Sequence, residues 1–230
     1  MTITTTGLTK AAGTAAAAAG AIFVAVQINH PPMEVASVET SEWVVRSAAK
    51  VVMGALALSG LAGIYLRQHR QAGVLGLIGY LLFTVGYLAM FGVEVIAATV
   101  LPALTSTDPG YVRDVIVTAA GGTPIGDIGG MQILLNVSGL GYIVGGLLFG
   151  IALFRTRILA RWASVLLAVG TVATAALAVL PEAFNRPMAV PVGIALIGLG
   201  VSLWRDQHRT TSAAFVSTAT TIPVAESAVR

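Results

Sequence analysis

Gly141-Tyr-Ile-Val-Gly-Gly-Leu-Leu-Phe-Gly-Ile-Ala-Leu-Phe-Arg155 is an apolar run that ends on an arginine. Two other runs end alike: Gly63-Ile-Tyr-Leu-Arg67 and Gly200-Val-Ser-Leu-Trp-Arg205. Outward from these three ends, six long apolar stretches fill most of the chain, and arginines gather at the end of every second one. They cover about 11–28, 41–66, 73–101, 130–154, 160–180 and 187–204. Repeated apolar runs with a basic stop point to helices that cross a bilayer.

Composition agrees. Hydrophobic residues make up 56% of the 230 residues and charged residues 10%, and the mean hydropathy is +0.87. Soluble domains carry about 25% charged residues; so few charges leave too little polar surface to cover a water-exposed fold. The chain has no cysteine, which excludes disulfides, thiolate metal sites and cysteine nucleophiles. The net charge is +3. Most basic residues sit within a few positions of apolar segment ends and form no patch interleaved with aromatics, so no nucleic-acid partner is expected.

Orientation follows from the positive-inside rule. Lys10, Arg67, Arg70, Arg155, Arg157, Arg161, Arg205, Arg209 and Arg230 fall on one side; Arg46, Lys50, Arg113 and Arg186 fall on the other. The expected fold is all-α: a six-helix transmembrane bundle over 11–205, with both N- and C-terminus cytoplasmic, in a bacterial plasma membrane. Residues 1–10 form a short cytoplasmic segment. Residues 206–230, rich in Ser, Thr and Ala, read as a disordered tail. The first stretch also resembles a secretory signal, but an uncleaved helix is expected. Trp43, Trp162 and Trp204 are expected at the interfaces. The shared helix ends read either as three related hairpins or as a common interfacial stop.

Between the third and fourth stretches, Asp108-Pro109 is expected to cap a short helix through Val117. Residues 121–130, rich in glycine, read as a mobile loop. Pro102 is expected to end the third helix.

Glu94 is the sharpest chemical signal. It lies eight residues before Pro102, roughly 12 Å inside the helix end. A charge there costs on the order of 2.5 kcal/mol or more without a partner, proton or water. Lys50, about seven residues into an oppositely directed helix, reaches a similar level. Asn136, Thr174, Gln27 and Arg46 fall near it. These six residues form the expected polar intramembrane site. One function is then a small-solute or ion transporter, or a sensor, with Glu94 as the proton- or cation-linked group. The other is a non-catalytic scaffold or accessory subunit, with Lys50 and Glu94 as a structural ion pair. No nucleophile elbow, His-Glu-x-x-His element or paired aspartate is found, so no enzyme, cofactor or metal is expected. Besides the lipid bilayer, the glycines of the fourth stretch allow either close packing inside the bundle or a homo-oligomer contact.

Residues 141–155, Leu159-Ala-Arg-Trp-Ala163, Val190-Pro-Val-Gly-Ile-Ala-Leu196 and Leu203-Trp204 together resemble uncharacterised multi-pass membrane proteins of actinobacteria. In that group a proline often stands where Ala160 stands here. The resemblance covers the C-terminal half, and it implies no activity and no site residue.

Overall fold

The computed structural model describes residues 4–175 and 185–220, with side chains over 4–175 and 187–206. The described chain is helical: α1 (Thr5–Ala25), α2 (Val35–Val38), α3 (Ser41–Thr99), α4 (Leu101–Leu104), α5 (Pro109–Ala119), α6 (Gly130–Thr156), α7 (Arg161–Ala173) and α8 (Asn185–Thr220). Four spans are long and apolar enough to cross a membrane: α1, α3, α6 and residues Pro187–Asp206 of α8.

The 59 residues of α3 would reach about 88 Å if straight. Instead Gln68 leaves helical geometry and Gly73 takes φ +58°, a left-handed conformation that suits glycine. The helix folds into a hairpin of two legs, residues 41–67 and 74–99. Contacts step regularly down it. Trp43 Nε1 donates to the Ala97 carbonyl at 3.0 Å. A Cβ on Gly54 would touch Phe91, and Tyr65 stacks on Tyr80 with centroids 4.5 Å apart.

The remaining long helices close a ring with the two legs of this hairpin. Leg 41–67 meets α1 where Gly60 and Gly63 face Ala16 and Ala12. Leg 74–99 meets α6 where Gly79 and Gly86 face Phe149 and Gly141. Then α6 packs on α7, α7 on α8, and α8 returns to α1 through Gly200 against Gly13 and Gly193 against Gly20. Lipid offers no hydrophobic gain for joining helices, so association depends on close van der Waals contact, which small residues permit. Phe83, Tyr87, Tyr142 and Phe149 fill the leg–α6 seam with tilted and edge-on ring pairs, each worth on the order of 1 kcal/mol. Outward faces stay apolar, as at Val74, Leu81, Leu88, Leu140 and Val169, a surface suited to lipid rather than water.

The ring places Lys10, Arg67, Arg70, Arg155, Arg157, Arg161 and Arg205 at one end. There Arg67 pairs with Asp206 at 2.6 Å, joining the α3 turn to α8, and the Thr156 hydroxyl donates to the Gln68 amide oxygen, joining that turn to α6. The opposite end carries a second core of Val38, Trp43, Ala97, Leu101, Val112, Val115, Ile116, Ile128 and Met131, under α2, α4 and α5.

Several expectations need correcting. The first helix begins at Thr5, because the Thr4 hydroxyl accepts from the Gly7 amide and caps it. It ends at Ala25, and Ala16 and Ala19 are fully buried in the core. The third helix ends at Thr99, before Pro102, which instead sits in the first turn of α4. Trp43, in the first turn of α3, is buried and hydrogen-bonded between the legs. Helix α8 continues to Thr220, through residues expected to lack structure. Residues 176–184, with Pro181 and the end of the fifth stretch, lie outside the described residues, as do 221–230 and the side chains of Arg186 and Arg209.

The α6 glycines are largely consumed within the chain. Gly141 and Gly145 face leg 74–99, while Gly146 and Gly150 face Thr171 and Ala168 of α7. Gly130 and Gly139 have open space beside them, whereas those four glycines are packed against neighbouring helices of the same chain.

Candidate functional site

The Lys50–Glu94 pair forms as its depth implies. Lys50 Nζ lies 3.1 Å from Glu94 Oε1, with the side chains 18% and 14% exposed. It ties the two legs of α3 beside the Trp43–Ala97 hydrogen bond. Each charge finds its counter-ion directly, which answers the cost of placing either alone at that depth.

Arg46 does something else. Its guanidinium pairs with Glu42 at 2.7 Å and donates to the carbonyls of Val26, Ile28 and Asn29 at 3.1, 2.8 and 3.0 Å. Those carbonyls follow the end of α1, where the helix has no amides left to offer them. Asn29 adopts φ +50° before Pro31-Pro32, so the chain leaves the helix there and Arg46 receives its orphaned oxygens. Arg46 is a cap supplied by a neighbouring helix. Asn136 is also set apart: it is exposed and accepts from Gln132 at 3.1 Å on its own helix.

Gln27 and Thr174 do come together, in a cleft of about 570 Å³ at the end opposite Arg67, Arg155 and Arg205. Phe23, Met33, Met90, Leu135 and Ile143 form apolar walls, with the ring of Tyr142 also lining it. Thr118 to Gly121, the end of α5 and the residues after it, contribute to the lining. Among the described residues that line it, polar side chains are few: Gln27, Thr118, Ser138 and Thr174. The Thr118 and Thr174 hydroxyls donate to helix carbonyls at 2.7 and 2.6 Å, leaving oxygen lone pairs to accept. Among the described residues the side chains of Gln27 and Ser138 have no hydrogen bond. Nor do the buried hydroxyls of Thr84, Tyr87 and Tyr142, the last two on rings 5.9 Å apart. Neither Lys50 nor Glu94 lines this cleft.

Ser138 and Thr118 carry no mark in the sequence by charge or motif. A helical-face argument finds Ser138: Leu135, Ser138, Gly139 and Tyr142 fall at i, i+3, i+4 and i+7 and all line the cleft.

Asp114 is the second residue that charge counting passes over. It is 4% exposed, on the inner face of α5. Its carboxylate accepts from the Gly126 amide at 2.7 Å and from Arg113 at 2.9 Å. The Gly126 amide chiefly, then the Arg113 hydrogen bond, the Ile125 amide and the Arg113 charge, hold its carboxyl below the usual 3.8 against the opposing effect of burial. Residues 121–129, expected as a mobile loop, are therefore fastened to α5 and bury Ile128. A carboxyl with a lowered folded-state pKa stabilises the fold above its unfolded pKa and loses that contribution as pH falls through the folded value. Asp114→Asn is expected to speed amide exchange of 121–129 at neutral pH. Wild type is expected to reach the same state only below pH 3.8. Exchange mass spectrometry, corrected for intrinsic rates, checks both; wild-type protection in Asp114→Asn would rule out this anchor.

Compared with protein-family models, curated proteins and solved structures, the chain finds no match.

Proposed function

We propose that this chain is a six-pass membrane protein with both termini cytoplasmic, which receives a small neutral solute from outside through the cleft at its arginine-poor end. The cleft's lining carries this reading. Its volume lies in the range of small-molecule sites, and its few polar groups are set in apolar walls. Among the described residues no acid or base lines it, and against that lining a charged solute would lose its hydration without a counter-ion. An uncharged molecule with one or two hydrogen-bonding groups fits that balance. The direct Lys50–Glu94 contact supports a structural role for the pair, so the solute site lies beside it rather than on it. The basic ends of the helix ring support the orientation.

The absence of cysteine makes the test direct. Ser138→Cys is expected to react with a membrane-impermeant maleimide on intact cells, whereas Gln71→Cys reacts only after permeabilisation. Indole or 2-naphthol, both neutral and apolar with one hydrogen-bond donor, is expected to slow labelling of Ser138→Cys several-fold; glycerol and benzoate are not. Labelling that ignores both aromatic probes would replace the solute site with the scaffold or accessory-subunit reading. Labelling of Gln71→Cys on intact cells would reverse the orientation.

A further inference from the structure

A second concavity lies at the arginine-bearing end, on the lipid-facing side between α7 and α8. It encloses about 420 Å³. Ile194, Ile197 and Val201 line it, Trp162 flanks it at 57% exposure, and Ser202 and Arg205 sit at its end. From Ile194 to Arg205 the helix rises roughly 16 Å, close to half of a bilayer's hydrocarbon thickness of about 30 Å. The groove therefore runs from mid-membrane to the headgroup level, with its apolar part deep and its charge at the rim.

The charges at the rim are unequal. Asp206 also lines the groove, but Arg67 holds it at 2.6 Å. Arg161 lies over the Phe154 ring, 4.0 Å from its centroid. Arg205 is exposed and has no ion pair among the described residues. The Ser202 oxygen accepts from the Ala160 amide at 3.0 Å, which leaves its own hydrogen to donate. Trp162 is an indole of the kind that settles at headgroup depth. The rim thus offers a cation and a hydroxyl donor, and the wall offers an acyl-length apolar track.

We propose that this groove binds one anionic phospholipid, with an acyl chain along Ile194, Ile197 and Val201 and the phosphate on Arg205 and Ser202. The proposal rests on the chain spanning a membrane and is independent of the solute cleft. A basic pocket between helices at a membrane surface suits such a headgroup, and a zwitterionic lipid would match Arg205 less well.

The test uses the delipidated full chain in detergent, with phosphatidylglycerol and phosphatidylcholine of identical acyl chains, read by native mass spectrometry. Wild type is expected to retain phosphatidylglycerol in preference. Arg205→Gln is expected to weaken that retention about five-fold. Val201→Trp, which fills the groove from an exposed position, is expected to abolish it with Arg205 intact. Arg70→Gln, at the same end but outside the groove, is expected to behave as wild type. Three results would overturn the site: undiminished retention in Arg205→Gln or in Val201→Trp; an equal loss in Arg70→Gln, which would mean a diffuse basic surface; or full displacement by glycerol 1-phosphate, which has no chain to occupy the groove. The cysteine-labelling pattern reports separately on whether the helices span, so a failed lipid site and a failed membrane reading give different results.

Discussion

Lys50→Met alone is expected to lower the unfolding free energy in detergent by about 2–3 kcal/mol, and the pair Lys50→Met/Glu94→Gln to recover most of it. The single change strands the Glu94 carboxylate between the two legs of α3, where it is only 14% exposed. Breaking a buried pair from one side costs about 3–5 kcal/mol; partial exposure places this one lower. Removing both charges eliminates the stranded ion, and an apolar or amide replacement loses little. Urea or SDS titration of the four members of the cycle measures the coupling directly. If the pair is structural, proton flux in proteoliposomes stays the same in all four at matched folding. A flux change that follows Glu94→Gln without a stability change would return Glu94 to a transport role.

The second large effect belongs to the α3–α6 seam. A Cβ on Gly141 would lie 2.8 Å from the Gly86 Cα and 2.9 Å from the Leu82 carbonyl oxygen. These are backbone atoms, so no side chain can swing aside. Gly141→Leu is expected to cost about 3 kcal/mol or more, through separation of two helices rather than a local adjustment. Gly139, two residues earlier on the same helix, has nothing within 4 Å of its Cβ position. Gly139→Ala is expected to be neutral or to stabilise by about 0.5 kcal/mol, since alanine favours helix over glycine. Thermal melts of the two variants in one detergent compare them. Equal losses in both would mean that α6 does not pack on leg 74–99 as described.

Both predictions bear on how much the sequence reveals. The Lys50–Glu94 pairing was legible because depth is a one-dimensional quantity. Counting 1.5 Å per residue from opposite ends of two antiparallel helices brings the groups to one level, and charge chemistry does the rest. The same depth count also selected Asn136, Arg46, Thr174 and Gln27, and there it separates poorly. Depth carries no azimuth. Asn136 shares the level but faces outward beside Gln132; Arg46 turns to the end of α1; Gln27 and Thr174 turn into the cleft. The glycines of α6 show the same limit. Their spacing announces close packing, yet only the folded ring assigns Gly141 to one neighbour and Gly150 to another.

By itself the sequence determined the apolar stretches, the gathering of basic residues at alternate ends, the Asp108-capped helix in the long connection, and the level at which Lys50 meets Glu94. Each depends on distance along the chain, on local capping or on charge, all of which are properties of one helix or of its ends. Tertiary structure alone decided that Arg67 pairs with Asp206, that Asp114 fastens residues 121–129, that Ser138 and Thr118 line the cleft, and that Arg205 lines the groove between α7 and α8. Those depend on which face of each helix turns toward which neighbour. In lipid that choice rests on the fit of small residues against backbone, and such fit exists only once the helices have met.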